Sequence, residues 1–433
     1  MPFRAKSRPG CQQTAHLSEW PNCKAVGASV SGEIEGASAG PEGNGAGVDP
    51  TVVALTLAGA VRNCPVHPLR TPLLSIFAAF LWLGLTSGDG ASGARNAALE
   101  TIHKHILSDR TLAIHAMVVV QRGRTIAEWY FKGEDNERGE PLGTVQFGAD
   151  VLHDLRSVSK SVVSLLFGAA MADGAIKSLD TPVLDYFPEY TDLQTAERRR
   201  IRLRDLLSMT SGLRWNESGI SYADPRNGET AMDAAADRYR YVLSRPIDAA
   251  PGTRWNYSSG DVALIAAVIA RATKMPLEIF AFEKLFRPLG IEEWDWLKDQ
   301  KGVPISASGL RLTPREMAKL GQLVLARGRW GGNQVLPAAW VDAATSPHVT
   351  TSGLPAGACE LSYGYFFWLG PRCTPAFVAA MGLGGQRIYV SRAHDAVVVI
   401  NAGLYNGPVL RPFAQEVDRQ GIYRAVIAAL PPS

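Results

Sequence analysis

Two apolar runs, Ile114 to Val120 and Thr125 to Phe131, flank the turn Gln121-Arg122-Gly123-Arg124, a pattern that predicts a β-hairpin. Farther on, Ser157 to Ala172 is strongly apolar, which predicts a largely buried helix closed by Asp173-Gly174. Arg202 to Met209 predicts a short helix ending in Thr210-Ser211-Gly212, and Val262 to Ala272 predicts a second apolar helix. Thr313-Pro314-Arg315-Glu316 is a helix start with proline in the first turn, and the helix should run to about Arg327. Gln386 to Ser391 and Ala396 to Asn401 are apolar strands, and Pro412 to Leu430 predicts a closing helix. Strands at both ends of the domain, with helices between them, point to an α+β fold. One antiparallel sheet is assembled from both termini, helices cover its faces, and an all-helical insertion occupies about 190–310.

The first hundred residues lack this patterning. Gly, Ala, Ser and Pro dominate positions 24 to 50, so residues 1–65 are expected to be a disordered extension. Residues 66–95 have the anatomy of a secretory signal: Arg70, the 13 apolar residues Leu73 to Leu85, then small residues from Gly90 to Ala94. The run is shorter than the ~20 residues that span a bilayer as a helix. Its position implies translation starting near Val66 or Leu69, from a non-AUG codon, because no methionine lies between Met1 and Met117. The expectation is a periplasmic or secreted domain from about residue 99 to 433, membrane-anchored only if this segment stays uncleaved. Cys359 and Cys373 would then be the only cysteines left, able to close a small disulfide loop.

Composition narrows the partners. The chain carries 44 basic and 41 acidic residues, a net +3, without a basic stripe or acidic tail, so no nucleic acid or polyanion is expected. The five cysteines form no Cys-x-x-Cys or Cys/His cluster, and His103 and His105 lack a third ligand, so no metal is expected.

Chemistry concentrates in three stretches. Ser157-Val158-Ser159-Lys160 sets a hydroxyl and an amine three residues apart where a helix begins, hence on one face. A serine hydroxyl needs a nearby base to attack a carbonyl, and Lys160 is placed to be that base; the plainer role for Ser157 is a helix cap. Tyr257 lies in the loop Pro251 to Asp261 ahead of a helix, where a phenol can relay a proton or merely pack. Gly382-Leu383-Gly384-Gly385 precedes a strand, leaving backbone N–H groups free to face an oxyanion or simply making a turn. Gly36-Ala37-Ser38-Ala39-Gly40 spells Gly-x-Ser-x-Gly but lacks the flanking strand and helix of a nucleophile elbow.

In this order the three stretches resemble the serine β-lactamase and penicillin-binding-protein superfamily, with its Ser-x-x-Lys, Tyr-x-Asn and Lys-Thr-Gly motifs. The resemblance covers about 100 to 430. It is closest to class C β-lactamase-like esterases and 6-aminohexanoate-dimer hydrolases, through Leu155 to Ser161, Leu206 to Leu213 and Gly382 to Gln386. It implies a β-lactamase/transpeptidase-like fold with Ser157 as acylated nucleophile, Lys160 as base and Tyr257 as proton-sharing partner. The backbone N–H groups of Ser157 and Leu383 would form the oxyanion hole, with Ser259, Gly382 and Gly384 toward the substrate. Trp215, Tyr222 and Trp368 are aromatic candidates for the pocket wall, with core packing as the plainer role.

Two departures bear on substrate. Ser259 stands where the second motif has Asn, and Ala380-Met381 where the third has Lys-Thr, which removes an amide and a cation. An uncharged small ester or amide, cleaved without a cofactor through an acyl-serine intermediate, fits better than a penicillin or a D-alanyl peptide. The rival readings are a true β-lactamase or D-alanyl-D-alanine carboxypeptidase, and a catalytically silent peptidoglycan- or ligand-binding module.

Overall fold

A computed structural model describes residues 88–137, 139–351, 359–405 and 421–433. The expected extension at 1–65, most of the signal segment at 66–95, and the first half of the closing helix lie outside the described residues; 421–428 are helical.

Among the described residues, eight strands form one antiparallel sheet. They are β1 (Ile114–Gln121), β2 (Arg124–Tyr130), β3 (Val349–Thr350), β4 (Ser362–Tyr363), β5 (Trp368–Gly370), β6 (Phe377–Gly382), β7 (Gln386–Ser391) and β8 (Ala396–Ala402). Their order is β3-β4-β5-β6-β7-β8-β1-β2, so the first hairpin joins the last strand, with Val119 opposite Val398. Tyr363 and Trp368 sit on β4 and β5.

The central strands are apolar on both faces because both are covered. Side chains alternate across a sheet. Val118, Val120, Ile388, Val390, Val397 and Val399 join the core of helix α2 (Val158–Ala172). Their neighbours Met117, Val119, Tyr389, Val398 and Ile400 pack with Leu99, Ile102 and Ile106 of helix α1 (Gly88–Ser108) and with Ile422, Tyr423 and Val426. Each Val, Leu or Phe fully buried in this way contributes about 1.5–3 kcal/mol.

Helix α2 runs through the core with Val158 to Ala170 all buried. It ends as the Asp173-Gly174 pair predicts, Gly174 adopting φ +72°. Between it and the late strands lie α3 (Leu203–Leu207), α4 (Gly228–Ala234), α5 (Ser259–Thr273) and α6 (Pro314–Leu325). Thr313 caps α6, its hydroxyl accepting from the Glu316 N–H. Cys359 and Cys373 are joined in a disulfide. Among the described residues no helix is long and apolar enough to cross a membrane.

Candidate active site

Arg156, immediately before α2, adopts φ +50°, a left-handed conformation uncommon for a side chain of this size. It turns the chain so that Ser157 takes the N-cap position, yet the Ser157 side chain makes no capping hydrogen bond. One turn on, Lys160 Nζ donates to Ser157 Oγ at 3.2 Å. The ammonium donates twice more, to Ser259 Oγ at 2.9 Å and to the Ala307 carbonyl at 3.1 Å, and is almost fully buried at 1% exposure. Three partners for three N–H bonds fix this side chain.

Tyr257 comes from a loop clamped by the segment after α3. Asn256 N–H donates to the Met209 carbonyl at 2.8 Å, Gly252 N–H to the Thr210 carbonyl at 2.8 Å, and Ser211 Oγ to Asp261 Oδ1 at 2.9 Å. Met209-Thr210-Ser211-Gly212 thus serves the tyrosine loop. The Tyr257 hydroxyl is hydrogen-bonded to the Ser157 hydroxyl, and its ring lies 5.0 Å from Lys160 Nζ. Burial drives the phenol well above its ordinary pKa, so at neutral pH it is a proton carrier, not a phenolate.

Gly382 closes the other side. A Cβ there would lie 2.2 Å from the Leu155 carbonyl oxygen and 3.2 Å from Ser157 N, so only glycine lets β6 approach Ser157. Leu383 begins the turn into β7, with Gly384 at φ +82° against the Tyr405 ring. Arg387 braces this turn, donating to the Gly382 carbonyl at 2.6 Å and the Gln386 carbonyl at 2.8 Å.

Of the predicted residues, Ser157, Lys160, Tyr257 and Gly382 converge. Ser259, expected to touch substrate, is instead fully buried behind Lys160. Trp215, expected on the pocket wall, is core: it packs against Gly228 and Gly260 and donates Nε1–H to Glu217 Oε2 at 2.7 Å. Tyr222 donates to Glu217 Oε1 at 3.0 Å while 39% of the residue stays exposed. Trp368 tilts against Tyr257 at 5.9 Å, in a cluster with Trp255 and Tyr363.

Two carboxyl groups here have no counterpart in the sequence reading. Ser259 Oγ lies 2.8 Å from Glu217 Oε1 and 3.1 Å from Glu229 Oε2, and Ser259 N–H donates to Glu217 Oε2 at 2.8 Å. Glu229 also accepts from Ser308 Oγ at 2.5 Å. Burial and the neighbouring Glu229 push the Glu217 pKa up, opposed by Lys160 and the donors from Trp215 and Ser259. A glutamate in a loop and another in the first turn of α4 carry no motif; Arg387, three residues past Gly384, was in plain view.

A serine on a helix N-terminus, a lysine one turn later and a tyrosine from a facing loop, beside an antiparallel strand, define a serine hydrolase of the β-lactamase fold. The family model described as Beta-lactamase matches residues 109–420, and the chain belongs to that family. Among curated relatives it is 24% identical to the 6-aminohexanoate-dimer hydrolase of Paenarthrobacter ureafaciens over 303 residues, 66% of this chain and 71% of that one. It is 30% identical to Esterase EstB of Burkholderia gladioli over 212 residues, 47% of this chain and 52% of that one. In fold it resembles EstCE1, a hydrolase with promiscuous acyltransferase activity, with TM-score 0.59, 17% identity, and 77% and 99% of the two chains covered. A putative 6-aminohexanoate-dimer hydrolase from Bacillus anthracis gives TM-score 0.58 at 19% identity, covering 74% and 81%.

Proposed function

We propose that this chain hydrolyses small uncharged esters or amides through an acyl-enzyme on Ser157. The observation that carries the reading is the Ser157 hydroxyl held between Lys160 Nζ and the Tyr257 hydroxyl, with no capping bond to occupy it. Ser157 Oγ attacks the carbonyl carbon as its proton passes to Lys160, and the oxyanion is met by the N–H groups of Ser157 and Leu383. Tyr257 hands a proton to the departing alcohol or amine, and water then releases the acid by the reverse relay. The relatives named as an esterase and an amide-dimer hydrolase support the substrate class. Arg387, the cation nearest the β6 strand end, already donates to two carbonyls, which disfavours recognition of a substrate carboxylate as in β-lactam binding. Export to an oxidising compartment is supported by the Cys359–Cys373 disulfide.

The test is turnover of p-nitrophenyl esters, nitrocefin and a linear amide dimer by wild type and Ser157→Ala, with fluorophosphonate labelling. Ester or amide turnover that Ser157→Ala reduces to background, together with an adduct on Ser157, is the expected result. A folded wild type that gains no adduct would favour a binding module; nitrocefin as the preferred substrate would favour a lactamase.

A further inference from the structure

The hydrogen bonds on the far side of Lys160 do not balance unless a proton is assigned to the two glutamates. Ser259 Oγ has one hydrogen and two lone pairs, and three partners surround it: Lys160 Nζ, Glu217 Oε1 and Glu229 Oε2. Lys160 is a donor there. The hydroxyl can then donate to one carboxylate and accept from the other carboxyl only if that group carries a hydrogen. Two bare carboxylates would compete for a single hydrogen where Ser259, Glu217 and Glu229 are all buried. Glu217 already accepts from Trp215 Nε1, Ser259 N and the Tyr222 hydroxyl, a set of donors that suits an ion. The proton therefore belongs to the pair as a unit, as for other carboxyls sharing one site.

The same inventory shows where a lysine proton can go. Among the acceptors of Lys160, the Ala307 carbonyl has no hydrogen to pass on, and Ser157 is itself the proton source. Ser259 is the acceptor that can take that proton and pass one on away from Ser157. We propose that Glu217 and Glu229 are positioning residues that hold one proton between them and take a second from Lys160 through the Ser259 hydroxyl, leaving Lys160 the amine that receives the Ser157 proton. This deepens the acyl-enzyme reading and rests on it. In the step, an N–H bond of Lys160 breaks as a new O–H bond forms on Ser259, whose own hydrogen moves to a glutamate oxygen. The Ser157 O–H bond then breaks toward Lys160 as Oγ bonds to the carbonyl carbon. Lysine and pair together are neutral before the transfer and after it, so the buried site never holds an unpaired charge, the condition that burial makes costly.

Glu217 from the loop before α4 and Tyr257 from the loop before α5 act on Lys160 directly; Tyr222 of the loop before α4, Glu229 and Asp233 of α4 and Asp261 of α5 interact with Glu217, and Arg387 of β7 with Tyr257. Burial and Glu229 raise the Asp233 carboxyl to about 7, so near neutral pH it is only partly ionised.

The test is the pH profile of kcat/KM for a p-nitrophenyl ester in wild type, Glu217→Gln, Ser259→Ala and the double variant, each checked for folding by circular dichroism. Either single change should lower kcat about 100-fold with little change in KM. Glu217→Gln should move the acid limb about one pH unit lower, because a carboxylate that favoured the ammonium is gone. The double variant should be no slower than the worse single, since both changes interrupt one wire. An acid limb unmoved in Glu217→Gln, or losses that multiply in the double variant, overturns the relay. Should Glu217→Gln not fold, Ser259→Ala decides alone: wild-type kcat rejects the relay. A wild type unlabelled by fluorophosphonate at Ser157 removes the acyl-enzyme reading; a labelled wild type with an unmoved limb removes only the relay.

Discussion

On one side of Ser157, Lys160, Ser259, Glu217 and Glu229 bury their charges with every polar atom named above partnered. On the other, His115, His153 and Asp135 are equally buried and far less well satisfied. The segment His153 to Lys160 runs from one cluster into the other. His115 Nε2–H donates to the Glu134 carbonyl at 2.9 Å and His153 Nδ1–H to the Val151 carbonyl at 3.0 Å, which fixes the tautomer of each neutral ring. The remaining ring nitrogens, His115 Nδ1 and His153 Nε2, have no hydrogen-bond partner, and Asp135 Oδ1, 3.9 Å from His115 Nδ1, is too far to supply one. Burial pushes His115 down to about 4 and His153 to about 3, and Asp135 up to about 6. The contrast is in solvation: the first cluster replaces water with protein donors and acceptors and keeps charge for chemistry, whereas the second sheds charge and trades stability against pH. Stacking of His115 on Phe147 at 3.9 Å shows what the second cluster gains, namely packing.

Breaking the first cluster should have the largest effect. Lys160→Met should lower kcat/KM about 10⁴-fold and destabilise the fold by about 3–5 kcal/mol, since the carboxyl groups lose their cation. Ester kinetics and thermal melting read the two losses. In the second cluster, Asp135 binds a proton in the folded chain at pH values where the unfolded chain has released it. Its contribution to stability is present below the unfolded value of 3.8 and is lost as pH rises through about 6. Asp135→Asn should therefore gain about 3 kcal/mol on wild type between pH 4 and pH 8, measured by denaturant melts. The histidines have the opposite sign. Below 6.5 the unfolded imidazole takes up a proton that the folded one refuses, so stability falls with pH until the folded values near 4 and 3 are reached. At pH 5 this amounts to about 2 kcal/mol per histidine. His153→Phe, aligned to stack on Phe147 as the histidine does at 5.0 Å, should flatten the melt between pH 7 and pH 5 by that amount. Equal pH slopes in variant and wild type would erase the distinction between the clusters.

How much of this was legible follows from the range of each interaction. The β1–β2 hairpin, α2, α5, α6, β7 and β8 were readable because apolar periodicity and end signals are local. The short strands β3, β4 and β5 have too few residues for a period, and only the chain of pairings from β3 through β4 and β5 to β6 makes them strands. Ser157 and Lys160 could be paired from spacing alone, because a helix fixes what lies one turn away. Ser259 could not be placed: its motif position suggested substrate, yet the depth of α5 puts its hydroxyl behind the lysine. Trp215 takes the core role that was its plainer reading, and only the tertiary structure decides between that and the pocket wall.

The chain alone therefore determined the serine at the helix start, the amine beside it and the sheet built from both ends, all consequences of local geometry and hydrophobic pattern. Only the tertiary structure decided what surrounds that amine. Ser259 meets Lys160 across 99 residues of sequence, and Glu217 and Glu229 meet Ser259 across 42 and 30, because a hydrogen bond acts over about 3 Å of space regardless of the chain between its ends.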